Sequence, residues 1–147
     1  MKKILFTALI LSSFFVGCKK KEDKPATAQT KTQLLTANNW VLTAIMSSTL
    51  GETDKDLFRI LPNCIKDDFS KYNSNFTLIY DDGATKCNPS DPQTTNDVWS
   101  FNSDETILTV SGDPKKIETL NATVLIFSYS DVNDGKTKTY TFTYSKK

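Results

Sequence analysis

Three cysteines, two pairs of adjacent aspartates and no histidine are what this chain of 147 residues offers for chemistry. Without histidine there is no Ser-His-Asp or Cys-His nucleophile, and the commonest metal ligand is gone. The carboxylate pairs are Asp67-Asp68 and Asp81-Asp82. Paired carboxylates run glycoside hydrolysis when they are held apart across a sugar, but adjacent aspartates in turn-rich sequence are far more often turn formers and solubilising charges. The five glycines are scattered and form no phosphate-cradling loop. "DVNDG" lacks the spacing and distal Glu of an EF-hand calcium loop and reads as a hairpin turn. The residues therefore point to a non-enzymatic protein with no cofactor and no metal.

The cysteines differ in setting. Cys18 lies in "LSSFFVGCKKKED", at the end of an apolar run. Lys2 and Lys3 form a positive n-region, and Ile4 to Val16 an h-region of the length expected for a secretory signal. The run falls short of the ~20 apolar residues of a spanning helix, and Lys19, Lys20 and Lys21 end it. "FFVGC" sets small Gly17 directly before the cysteine and resembles a lipobox of bacterial lipoproteins. That resemblance implies that residues 1–17 are a signal peptide and that the Cys18 thiol is diacylated as a thioether, which makes Cys18 the mature N-terminus. It also implies a protein anchored to the bacterial outer membrane, on its periplasmic side or at the cell surface. Two or three acyl chains anchor stably where one is marginal, at ~0.8 kcal/mol per buried methylene. A signal peptide with an incidental cysteine is the alternative.

With Cys18 assigned to lipid, Cys64 and Cys87 remain as an even pair in a compartment that permits disulfides. Neither belongs to a C-x-x-C motif, so redox exchange and zinc-ribbon readings lack their spacing. A structural bridge is expected, stabilising the fold by roughly 3 kcal/mol on the chain-entropy account. Two free buried thiols are the other reading.

From residue 18 to about 33 the chain is Lys, Thr, Ala, Gln and Pro, too poor in apolar surface to offset its ordering entropy, and is expected to be a flexible tether. "KKKED" also resembles the Lys-then-acidic signal that sends some lipoproteins to the outer surface; a solvated linker is the plainer reading. Residues 19–33 carry five lysines against Glu22 and Asp23, whereas residues 34–147 carry eleven basic against fifteen acidic residues. The acidic body argues against nucleic acid as a partner.

Residues 34–147 have the size of one domain, and their apolar periodicity is mostly two, the spacing of strands. "WVLTAIM", "NFTLIY", "DVWSF", "TILTV" and "TYTFTYS" alternate, and "ATVLIFSY" is apolar on both faces. "NFTLIY" places Phe76, Leu78 and Tyr80 on one side. Turn signals fall between the strands at 81–83, 102–105, 111–114 and 133–136. Asp134-Gly135 is the strongest, because both central positions of a type I′ turn need positive φ. Such spacing predicts an antiparallel sandwich or barrel. One short helix is predicted near Leu57, Ile60 and Leu61, capped by Asp54 and ended by Pro62.

"LLTANNWVLTAI", "PNCIKDDFSKYNSNFTLIYDDGATKC", "DVWSFNSDETILTV", "IETLNATVLIF" and "YTFTYSK" together resemble the lipocalin-like domains of small bacterial lipoproteins. In those domains an early strand carries tryptophan, here Trp40. Cysteine with Lys-Asp-Asp opens the second strand, here Cys64 with Lys66, Asp67 and Asp68, and a further cysteine follows the next hairpin, here Cys87. The resemblance implies an all-β, antiparallel up-and-down barrel of about eight strands. Such a barrel is either filled by side chains or holds one small ligand. If Trp40, Trp99, Phe101, Tyr140, Phe142 and Tyr144 line a cavity, a small apolar ligand is expected to stack on them. If they fill it, the protein meets an envelope partner through its surface instead.

Overall fold

The last strand, "KTKTYTFTYSK", alternates polar and aromatic residues over its second half and is the piece that closes the sheet on itself. The structure, a computed structural model, describes residues 28–147, apart from the side chain of Asn133. The signal peptide expected over 1–17, the Cys18 expected to carry lipid and the first part of the expected tether lie outside the described residues. The strands are β1 (Asn39–Thr49), β2 (Lys55–Asp56), β3 (Phe69–Tyr72), β4 (Thr77–Asp81), β5 (Thr94–Phe101), β6 (Ile107–Val110), β7 (Asp113–Leu120), β8 (Val124–Asn133) and β9 (Lys136–Lys146). From β3 onward each strand pairs antiparallel with the next, and β3 pairs with the first half of β1. β9 returns to β1, from Trp40 opposite Lys146 to Thr49 opposite Lys138. The result is a closed, eight-stranded up-and-down barrel, the architecture expected above. β2 is an appendage of two residues on the free part of β1.

Local chemistry explains the tight turns. Asp134 and Gly135 have φ of 52° and 72°, and Ser111 and Gly112 have 54° and 88°, the left-handed pairs of type I′ hairpins. The expected 111–114 turn narrows to those two residues, and β7 starts at once at Asp113. At 102–106, the Asn102 Oδ1 accepts from the backbone of Thr106 and Ile107, both at 2.8 Å. Phe76, expected on a strand beside Leu78, has φ of 65° and sits in the β3–β4 turn, largely exposed.

The helix is displaced from its expected place. Residues 54–61 form β2 and a 3-10 turn over Phe58–Ile60, capped by Asp56 through the amides of Phe58 and Arg59; a second 3-10 turn follows over Asn63–Ile65. Of the three apolar residues expected on one helical face, Leu57 and Leu61 are half-buried and Ile60 is 79% exposed. The α-helix, α1 (Lys31–Thr36), runs across the end of the segment expected as tether. A capping box starts it: Thr30 Oγ1 accepts from the Gln33 amide at 3.1 Å, and Gln33 Oε1 accepts from the Thr30 amide at 3.0 Å. Its Leu35 is fully buried.

Candidate functional site

The two ends of the barrel are built for different tasks. At one end α1 lies over the turns between β3 and β4, β5 and β6, and β7 and β8. Glu105 holds it, accepting from the amides of Lys31 (2.9 Å) and Thr32 (3.2 Å) and from the Thr32 hydroxyl (2.6 Å). Trp40 is fully buried beneath the helix, and its indole donates to the Leu35 carbonyl at 2.8 Å. The Trp99 indole donates to the Asn73 carbonyl at 3.1 Å, with Tyr72 and Phe101 packed edge-on at 5.7 and 5.6 Å. Of the residues expected to line a ligand site, Trp40, Trp99 and Phe101 do not line the main cavity described below: Trp99 is in the core, Phe101 packs against it, and Trp40, also in the core, borders a smaller cleft. A buried indole N–H needs an acceptor, and the carbonyls of this closed end supply it.

The other end is open. Between the β6–β7 and β8–β9 hairpins lies a cavity of about 630 Å³, within the range of small-molecule sites. Tyr140, Phe142 and Tyr144 on β9 line it. Four further aromatic residues join them: Tyr72, Tyr80, Phe127 and Tyr129. All five tyrosines of the chain thus face one space. The signal for the unforeseen four was their register, since Tyr72, Tyr80, Phe127 and Tyr129 fall on inward positions of β3, β4 and β8. Rings stack along the β8–β9 wall, Phe127 on Phe142 at 5.3 Å and Tyr129 on Tyr140 at 5.2 Å. At the rim, the Lys115 ammonium sits 4.8 Å from the Tyr129 ring centre, beside Asp113 and Asp131. Burial raises the phenol of Tyr72 well above its usual range, with the Tyr144 and Tyr80 phenols adding to the effect. Burial likewise raises Tyr144 and Tyr80.

The mouth is fastened on one side. Cys64 and Cys87 are bridged, with Cα atoms 5.1 Å apart, tying the segment before β3 to the β4–β5 loop. Asp67 Oδ2 accepts from the amides of Ala84 (2.8 Å) and Thr85 (3.0 Å), which hold its carboxyl below the usual range. Gly83 has φ of +64°, and a β-carbon there would stand 2.5 Å from the Asp67 carbonyl oxygen. Asp81 Oδ1 accepts from the Gly83 amide and from Gln93 Nε2. The carboxylate pairs therefore organise loops. Asp68 is pushed up to about 6, first by burial and then by Asp82, Asp67 and Asp81. It lines a cleft of about 180 Å³ that shares Ser70, Tyr80 and Tyr144 with the main cavity. Among the described residues no group of acidic residues and cysteines is placed to hold a metal ion.

No protein-family model matches the sequence, and no curated protein matches it. Among solved structures the chain is similar to bovine odorant binding protein in complex with a selenium-containing odorant. The identity is 15%, the TM-score 0.41, and the match covers 84% of this chain and 77% of that one.

Proposed function

We propose that this protein is a non-enzymatic, lipid-anchored binding protein of the bacterial envelope that takes a small, largely apolar ligand into the open end of its barrel. The observation that carries the binding reading is the aromatic cavity of about 630 Å³, left unfilled although thirteen aromatic residues follow Leu34. A barrel serving only as a surface for partners has no need of that space. Anchorage is supported by the "VGC" stretch, and the outer membrane by its resemblance to lipobox sequences. α1 enters at the closed end, so a lipid on Cys18 leaves the mouth on the side away from the anchor.

Two experiments test this. Labelled palmitate is expected to enter the wild-type protein in a bacterial host and to vanish with Cys18→Ser; equal labelling of both removes the anchor. Residues 19–147, free of lipid, are expected to show a thermal shift with at least one member of a panel of fatty acids, haem and oligosaccharides, the apolar ones foremost. Silence across that panel leaves an envelope partner protein as the better occupant of the mouth.

A further inference from the structure

The chemistry of the cavity wall goes beyond "apolar". Tyr72 is only 4% exposed, yet its hydroxyl, like those of Tyr80 and Tyr144, has no hydrogen bond to another described group. The three are neighbours by register. Ser70 stands opposite Tyr80 and Tyr72 opposite Leu78, so Tyr72 and Tyr80 are diagonal on the inner face of β3 and β4. Tyr144 approaches from β9, and all three line the same cavity. The three hydroxyls open onto the cavity, and none of their protons is committed to another described group, so they are free to donate to an acceptor placed there.

We propose that the phenols of Tyr72, Tyr80 and Tyr144 form a donor cluster for an uncharged oxygen acceptor, such as a carbonyl, on a flat ring-bearing ligand whose rings lie against Phe127, Tyr129, Tyr140 and Phe142. This rests on the ligand-binding reading above and specifies it. The ring faces on the β8–β9 wall are already arranged for stacking, with planes 19° to 25° apart. An anionic acceptor is disfavoured, because Asp68, Asp81 and Asp82 line the cleft on the other side of the Tyr80 and Tyr144 wall. A cationic donor leaves the three hydroxyl protons unanswered.

A series on one ring system separates these cases: acetylnaphthalene, ethylnaphthalene, naphthoate and naphthylmethylammonium, each titrated by calorimetry into lipid-free residues 19–147. Acetylnaphthalene is expected to bind about tenfold more tightly than ethylnaphthalene, a factor typical of a satisfied buried hydrogen bond, with naphthoate weakest. Tyr72→Phe and Tyr144→Phe are expected to bring the ketone and the hydrocarbon to equal affinity, with thermal unfolding and circular dichroism reporting that the variants are folded. Equal binding of ketone and hydrocarbon, or preference for either ion, overturns the donor cluster and leaves cavity binding standing. Failure of all four to bind overturns both.

Discussion

Asp68 shows how one residue makes the mouth sensitive to pH. Its carboxyl titrates at about 6 in the folded protein against an ordinary 3.8. Between those values the folded state keeps a proton that the unfolded chain has released, so stability falls as pH rises through the window and stays lower above it. Asp67 acts in the opposite sense, because its lowered value gives stability that is lost as pH falls below the usual range. Asp68→Asn is expected to stabilise the protein at about pH 8 by roughly 1 kcal/mol, allowing for solvent screening of a half-buried group, and to have little effect at about pH 4. Urea unfolding at the two pH values checks this, and an equal shift at both would contradict the assignment. Gly83 carries a second prediction at this scale. Gly83→Ala must hold φ of +64° and push its β-carbon against the Asp67 carbonyl, with an expected loss of roughly 2 kcal/mol in chemical denaturation. A neutral result would mean that the two loops can part freely.

Among the elements, α1 depends on a side chain that is distant in sequence. Glu105 takes both amide protons of its first residues, and the Lys31 ammonium returns a bond to the Glu105 carbonyl at 2.7 Å. Glu105→Ala is expected to cost about 2 kcal/mol through the lost charge-assisted bonds. Hydrogen exchange should then rise in residues 34–37 ahead of the barrel strands; unchanged exchange there would show that Leu35 alone holds the helix. The strands and hairpins were legible because their signals are local: alternation in "TYTFTYS", and Asp-Gly where both φ values must be positive. α1 also left a local trace, Thr30 and Gln33 at capping-box spacing, obscured by a composition that reads as tether. The helix expected at 54–61 gave way to the short pairing of β2 with β1 and to a 3-10 turn held by Asp56 through the Phe58 and Arg59 amides, so apolar periodicity alone did not decide the element. Which aromatic residues fill the barrel and which leave it open was not legible, since both kinds sit on inward positions. Indole N–H groups went to backbone carbonyls at the closed end, and phenols stayed at the cavity. Only the folded geometry separates those outcomes.

For the molecule as a whole, closure by β1 and β9 joins the two ends into one cooperative unit while leaving their fastenings independent. The disulfide and Asp67 secure the mouth, whereas Glu105 and the capping box secure the closed end, and the two sets share no partner. Replacing Cys64 and Cys87 by serine is expected to cost roughly 3 kcal/mol, the loop-closure value for a bridge spanning this much chain. Combined with Glu105→Ala, the losses should add to within about 0.5 kcal/mol, as they do for distant sites without common contacts. Binding should separate the two changes more sharply. The bridge ties down the loops beside Tyr80 and Asp81, so its removal is expected to weaken acetylnaphthalene binding. Glu105→Ala, at the opposite end, should leave it unchanged. If releasing α1 altered ligand affinity as much as opening the bridge, the barrel would be transmitting strain along its length, and the division into a structural end and a binding end would have to be abandoned.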